Sequence, residues 1–326
     1  MTTRRVALLT EFGPPQVLSV ATEDLPPPMP GEVQIRQTAI GFNFIDIYQR
    51  TGIYPLPLPT GLGFEAAGVV EALGPGVAGI AVGDRVAYMN AGVGAYADRR
   101  NVPAEKLVTL PDTVTDEAAA TLLFKGMTAQ YLLRKTHPVQ AGDLLLVHSA
   151  AGGVGQILTR WATALGATVV GTTGSPRKRD AALAAGCAEV IDLNDPDWPQ
   201  VFLKATGGRK ARVVYDAIGK DTLVRSLDCA APFGLVVSYG ASSGKAPAIE
   251  PELLNKKGCL FLTRPSVFPH NADAATFRAN AADLFDAIAA GHVTVDIGAR
   301  FPLDAIADVH VAAEERRFGG AMLITP

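Results

Sequence analysis

Cysteine is scarce in this chain, which has three in 326 residues, Cys187, Cys229 and Cys259. An odd number so widely spaced argues against a disulfide framework and fits a reducing cytoplasm, and each reads most simply as a small core residue. Histidine is scarce too, and the five are scattered without metal-ligand spacing. Neither sign of charge dominates, since 29 basic and 32 acidic residues are interspersed and leave a net charge of −3. That balance lacks the basic stripe that a nucleic acid or an anionic membrane would need. No uninterrupted apolar stretch approaches the roughly 18 residues of a membrane span. The apolar run after Arg4 and Arg5 stops before Glu11, too short for the core of a signal peptide. Internal repeats and low-complexity segments are absent as well.

What is there suffices for two domains of ordinary size, each with its own core. Up to about residue 110 the apolar runs are short: Val6–Leu9, Val33–Ile40, Ala66–Leu73, Arg85–Met89 and Leu107–Leu110. Gly and Pro punctuate them, as in Gly13-Pro14-Pro15, Pro26-Pro27-Pro28 and Gly74-Pro75-Gly76. Strands this short and close together predict a compact, barrel-like β domain. The texture changes after Pro111, where Asp116 would cap a long helix rich in Ala and Leu, Glu117–Lys135.

From Gly142 onward, strands Leu144–Val147, Val169–Gly171, Val190–Asp192, Val213–Asp216 and Leu235–Ser238 alternate with helices Val154–Leu165, Pro176–Ala185, Pro199–Ala205 and Thr222–Ala230. That alternation predicts a parallel sheet covered on both faces. A last strand, Cys259–Thr263, precedes a tail of helix Asp273–Ala290, strand Val293–Val295, helix Leu303–Arg316 and strand Met322–Thr325. The tail is expected to pack back on the β-rich domain and make it discontinuous.

The most informative stretch is Leu144 to Gly155, an apolar strand that runs into Ala150-x-Gly152-x-x-Gly155 and then a helix. Strand, turn and helix together are the context in which a dinucleotide fingerprint is credible. Gly152 would let the backbone approach a pyrophosphate, Gly155 would let helix and strand pack closely, and the free N–H groups of the helix start would bind phosphate. In NAD-binding folds an acidic residue about 20 positions on holds the ribose hydroxyl. Here the second strand ends Val169-Val170-Gly171-Thr172-Thr173-Gly174-Ser175, and Arg177, Lys178 and Arg179 follow at once. Cations without a carboxylate suit a 2′-phosphate, so NADPH is favoured over NADH.

The chain resembles, nearly end to end, the zinc-independent, zeta-crystallin-like quinone oxidoreductases of the medium-chain dehydrogenase/reductase superfamily. The stretches that carry the likeness include Gly41-Phe42-Asn43-Phe44-Ile45-Asp46, Gly61-Leu62-Gly63-Phe64-Glu65-Ala66-Ala67-Gly68 and Phe124-Lys125-Gly126-Met127-Thr128. Val213-Val214-Tyr215-Asp216, Ser226-Leu227-Asp228-Cys229 and Leu262-Thr263-Arg264-Pro265-Ser266 belong to it as well. The resemblance implies an α/β architecture. A doubly wound Rossmann domain at residues 125–264 would be joined to a discontinuous β-rich GroES-like domain at 1–124 and 265–326. Where zinc-dependent relatives carry a ligating Cys this chain has Asn43, and where they carry the His it has Phe64. Neither is a competent zinc ligand, and the four-cysteine lobe of a structural zinc is missing.

Without a Lewis acid, the acceptor must take hydride easily, as quinones and activated enones do. The resemblance places Asn43, Asp46, Tyr48 and Tyr54 at the catalytic site. Asn43 would orient cofactor or substrate, Tyr48 or Tyr54 would donate to a developing oxyanion, and Asp46 would either assist or cap a helix. For NADPH it implicates Asn43, Thr128, Gly152, Gly153, Val154, Gly155, Gly174, Lys178, Tyr239, Gly240, Ser242 and Arg316, with Lys178 on the 2′-phosphate. Departures from relatives fall at Leu193, Arg160 and Thr163. Quinone reduction is therefore the leading expectation. Reduction of C=C bonds in enones or enoyl-thioesters is the alternative, and a cofactor-binding structural or RNA-associated role is a third. A homodimer is expected, with the apolar edge strand Cys259–Thr263 covered by its twin.

Overall fold

The computed structural model describes residues 2–294, 296–315 and 317–326. The chain divides into two compact units, Met1–Met127 with Asn271–Pro326, and Thr128–His270. The dividing points lie a few residues beyond those the family likeness implied.

The first unit is built from short strands: β1 (Thr2–Leu9), β2 (Leu18–Leu25) and β3 (Glu32–Gly41) precede the helix α1 (Phe44–Arg50). Then come β4 (Thr60–Gly61), β5 (Glu65–Leu73), β6 (Arg85–Met89), β7 (Arg99–Pro103), β8 (Leu107–Thr109) and helix α2 (Asp116–Tyr131). β3 is the hub, pairing antiparallel with β5 and β7. A side chain at Gly68 would put its Cβ 2.3 Å from the Arg36 carbonyl, so only glycine lets β5 lie this close.

α2 ends in a wide turn, Leu132–Thr136, and opens the second unit. Its elements alternate as the sequence predicts: β9 (Leu144–Val147), α3 (Gly153–Ala164), β10 (Thr168–Thr173), α4 (Arg179–Ala184), β11 (Glu189–Asp192) and α5 (Trp198–Ala205). They continue with β12 (Ala211–Asp216), α6 (Leu223–Cys229), β13 (Ala230–Ser238), α7 (Pro251–Lys256) and β14 (Phe261–Thr263). The strands form one parallel sheet in the order β11-β10-β9-β12-β13-β14. Strand order therefore reverses between β9 and β12, and in open α/β sheets ligands bind beyond the carboxyl ends of the strands at such a switch point.

The chain then returns to the first unit with α8 (Ala274–Ala289), β15 (Ile297–Pro302), α9 (Ile306–Glu314) and β16 (Ala321–Thr325). β16 pairs with β3, and Leu303, Ile306 and Val309 join Ile35, Ile40 and Tyr96 in one core. The β-rich unit is discontinuous, as expected. The strand expected at Val293–Val295 is not found: Val293 and Thr294 belong to no strand, Val295 lies outside the described residues, and the strand is β15. Alternate residues Ile297, Ala299 and Phe301 are the inward ones there, with Gly298 and Arg300 outward, a short period-2 signal.

A chain of hydrogen bonds ties together the carboxyl ends of the central strands in the second unit. His148, directly after β9, is fully buried, with Nδ1 2.9 Å from Thr172 Oγ1 and Nε2 2.9 Å from Ser226 Oγ. Ser226 Oγ donates to Asp216 Oδ2 at 2.8 Å, while Asp216 Oδ1 accepts from Ile218 N, Gly219 N and Thr222 Oγ1. Ser226 Oγ has one proton and two acceptors in reach, Asp216 Oδ2 at 2.8 Å and the Thr222 carbonyl at 3.0 Å, so it has none to give His148. Ser226 must then accept from Nε2–H, and Nδ1 accepts from Thr172. Burial holds the His148 imidazole below its usual range, in keeping with this neutral tautomer. Ser226→Ala would strip a partner from both Asp216 and His148. It is expected to cost about 1–3 kcal/mol, read as a lower urea midpoint; an unchanged midpoint would show that the chain adds no net stability.

Candidate active site

The fingerprint turn sits between β9 and α3. α3 has no side-chain cap at Gly152, so the N–H groups of its first turn stay available to an anion. A Cβ at Gly155 would lie 2.2 Å from the Ser149 carbonyl, and one at Gly152 would lie 3.1 Å from it. The packing of the turn requires glycine at 155 and leaves little room for a side chain at 152. Ser149 adopts φ +57, a left-handed conformation that no pattern in the sequence announces. Ala150 fits at the first glycine position because β10 carries Gly171 opposite: a Cβ there would meet the Ala150 Cβ at 2.7 Å.

Thr172 and Thr173 end β10 without an acidic side chain, and Gly174 has nothing within 4 Å of where a Cβ would be. Of the three cations that follow, Arg179 is engaged by Glu189 at 2.6 Å and by the Val190 carbonyl. Lys178 is exposed at the end of a single helical turn, Pro176–Lys178. After β13, the N–H groups of Tyr239 and Gly240 donate to the Asp216 carbonyl and that of Ser242 to the Ala217 carbonyl. A Cβ at Gly240 would meet that Ala217 carbonyl at 2.3 Å. The switch point is thus flanked by two backbone turns anchored on β9 and β12. Thr128 is buried where α2 enters this unit. Arg316 lies outside the described residues.

In the first unit, Asn43 is the N-cap of α1 and is buried. Its Nδ2 donates to Glu65 Oε1 at 2.7 Å, and its backbone N–H donates to Asp46 Oδ2 at 2.9 Å. Asp46 is 0% exposed, accepts from Tyr96 Oη at 2.6 Å, and leaves its Oδ1 without a partner among the described residues. Burial pushes its carboxyl up to about 7, against the lowering effect of the Tyr96 hydrogen bond. Tyr48 and Tyr54 meet edge to face, with ring centroids 5.6 Å apart, and Tyr54 is 47% exposed. Burial and the neighbouring Tyr54 raise the Tyr48 phenol above its usual range. The structure therefore brings Asn43 and Asp46 into one buried cluster, with the two tyrosines as a pair on and just after α1.

Three members of that cluster escaped the sequence reading as site residues. Glu65 is fully buried and accepts from Asn43 and, at 2.7 Å, from the Phe124 N–H. Lys125 Nζ donates to the Phe42 carbonyl at 3.0 Å and lies 3.4 Å from Glu65 Oε1. Tyr96 links Asp46 to the core. The signal for Glu65 and Lys125 was present, since both stand in stretches that carried the family likeness; Tyr96 had none. Among the described residues no group of three or more His, Cys, Asp or Glu could hold a metal ion.

Residues 29–112 match the family described as alcohol dehydrogenase GroES-like domain, and residues 153–283 the family described as zinc-binding dehydrogenase. A quinone oxidoreductase of Pseudomonas aeruginosa is 43% identical over 316 residues, 97% of each chain. A 2-haloacrylate reductase of a Burkholderia species is 44% identical over 307 residues, 92% of each chain. The solved structure of Escherichia coli quinone oxidoreductase complexed with NADPH superposes with a TM-score of 0.94 at 41% identity, covering 100% of both chains. The chain therefore belongs to the quinone oxidoreductase family of the medium-chain dehydrogenase/reductase superfamily, with a GroES-like first unit and a Rossmann second unit.

Proposed function

We propose that this protein is an NADPH-dependent reductase of quinones that works without a metal. The observation that carries the reading is the uncapped start of α3 beside a β10 that ends in Thr172-Thr173 with no carboxylate. Such a site takes a dinucleotide phosphate and does not repel a second one on the ribose. The NADPH complex of the Escherichia coli relative supports it. Bound there, NADPH supplies the hydride. The residues Gly152, Gly153, Val154 and Gly155 would hold the pyrophosphate, and Lys178 the 2′-phosphate. Gly174, Tyr239, Gly240, Ser242 and Thr128 would line the remainder, and we include Arg316 on family likeness alone.

Asn43 presents a fixed amide, because Glu65 claims its Nδ2; its carbonyl orientation follows. Tyr48 and Tyr54 would donate hydrogen bonds to an acceptor oxygen as negative charge develops on it. Asp46 is sealed from solvent and occupied by Asn43 and Tyr96, so we assign it the positioning of Asn43. The hydroquinone anion can take its proton from water. Reduction of an activated C=C bond is the second reading, favoured by the likeness to the 2-haloacrylate reductase, and needs the same hydride delivery.

We also propose a cytoplasmic homodimer. Among the described residues no helix is long and apolar enough to cross a membrane. Both buried cysteines, Cys187 and Cys229, and the exposed Cys259 are unpaired thiols. β14 is the edge of its sheet; Phe261 on it and Phe233 on the neighbouring β13 are 62% and 63% exposed. With Arg212, Leu235, Leu262 and Thr263 they line a groove of about 480 Å³. A row of unpaired backbone groups flanked by exposed phenylalanines is what natural sheets cover.

Purified protein is expected to oxidise NADPH with simple quinones, at a kcat/KM at least about tenfold above that with NADH, a discrimination of about 1.4 kcal/mol. Activity on alkenals with none on any quinone would transfer the assignment to the second reading. Light scattering is expected to give twice the 34.1 kDa of the chain. Phe261→Lys is expected to lower that mass to the monomer's, and a monomeric parent protein would refute the dimer. Asp46 is uncharged in the folded state up to about pH 7 but ionises near 3.8 when unfolded. The stability this lends is complete below pH 4 and lost as pH rises toward 7 and beyond. Asp46→Asn should therefore gain on the parent protein between pH 4 and 8, by up to about 4 kcal/mol, in denaturation midpoints. A pH-independent difference would contradict the burial of that carboxyl.

A further inference from the structure

Two facts about the first unit stand together. At the two positions where zinc-dependent relatives hold their metal, this chain has Asn43 and Phe64, and the space beside them contains a charged amine. Lys125 Nζ reaches Glu65 Oε1, the oxygen that also accepts from Asn43, and the carbonyl of Phe42, the residue before Asn43. Resting on the reductase reading above, we propose that the Lys125 ammonium is a catalytic cation, stabilising the oxyanion that develops on the acceptor as a metal does in zinc-dependent relatives.

The alternative role for Lys125 is neutralising Glu65, and the geometry argues against that as its sole use. The short bonds to Glu65 come from Asn43 and from the Phe124 N–H, both 2.7 Å, whereas Lys125 stands off at 3.4 Å. Its direct hydrogen bond is to Phe42. An ammonium carries three N–H groups, and among the described residues it has these two acceptors. The Lys125 side chain is 15% exposed while Glu65 is fully buried, so the lysine is the member of the pair that reaches solvent. Aromatic walls flank the pair on the chain, Phe64 before Glu65 and Phe124 before Lys125, with ring centroids 6.1 Å apart. An apolar surround of this kind lowers the local dielectric and strengthens whatever ion pair forms there.

Hydride brings two electrons and a proton to the quinone, the electron pair settles on a carbonyl oxygen, and NADPH leaves as NADP⁺. Lys125 donates a hydrogen bond to that oxygen and keeps its proton, and water protonates the anion to hydroquinone. A point charge is indifferent to the rest of the acceptor. The same device would serve an enone or an α-halo acrylate, in which the pair settles on the carbonyl or carboxylate oxygen.

The test uses the intact protein loaded with NADP⁺ and 4-nitrophenol, whose phenolate mimics the hydroquinone anion and absorbs differently from the phenol. The parent protein should bind the phenolate in preference, lowering the apparent pKa of bound nitrophenol by about one unit, a tenfold bias. Lys125→Met should abolish that bias. With quinone it should cut kcat roughly 10²–10³-fold, the usual loss of one oxyanion donor, at an NADPH affinity changed by less than about threefold. Lys125→Arg should recover part of it. Glu65→Gln combined with Lys125→Met separates the two roles, since pure neutralisation predicts recovery of kcat and a catalytic cation predicts none. Equal binding of phenol and phenolate by the parent protein overturns the proposal even if no variant folds, as does recovery in the double variant. A parent protein that reduces no acceptor overturns the reductase reading instead.

Discussion

A carboxylate with no water around it must be met by donors from every side, and Glu65 sets that demand for the first unit. An ion left unpaired in such a place costs several kcal/mol. The partners are an amide from the start of α1, a backbone N–H from the middle of α2 and an ammonium one residue further along. Meeting the demand orients Asn43, because only its NH₂ end can face a carboxylate. Asn43 is held a second time by Asp46, and Asp46 by Tyr96. One buried charge at the first residue of β5 thereby registers two helices and a loop against each other.

The second unit solves the same problem at the last residue of β12. Asp216 is as deeply buried as Glu65, and both of its oxygens are saturated, three donors on one and Ser226 on the other. The difference is that here no cation is used. Hydroxyls, backbone N–H groups and a neutral imidazole carry the charge, so the relay through Ser226 and His148 to Thr172 is locked to one direction of donation. It reaches from β12 to β10 behind the fingerprint turn and holds the two flanking turns to the same sheet. Dipoles suffice for Asp216, whereas an ammonium stands beside Glu65 and Asn43.

Much of this was legible in the residues. Alternation of strands and helices after Gly142 gave the second unit almost element for element, because buried parallel strands are continuous apolar runs and Gly marks their turns. The fingerprint was legible for the same reason. The first unit was harder: β2 and β7 carry at least as many charged or polar as apolar residues, and α1 is only seven residues long, too short for a periodic signal. Asp46 illustrates the limit at the site. Its sequence position fits both a catalytic acid and a capping residue, and only burial and the Asn43 and Tyr96 contacts separate the two. The relay through His148 joins residues up to 78 positions apart, and no local pattern could announce it.

The alanine at the head of the fingerprint has a consequence for what a motif is. Ala150 on the turn and Gly171 on the neighbouring strand share the space of a single methyl group. Cys187 Sγ would meet the same added Cβ at 2.6 Å, so the glycine belongs on β10 and the methyl group on the turn. The first letter of the fingerprint is thus written across the sheet as well as along the chain. A departure from the consensus letter there carries no information about the cofactor until its partner on β10 has been read with it.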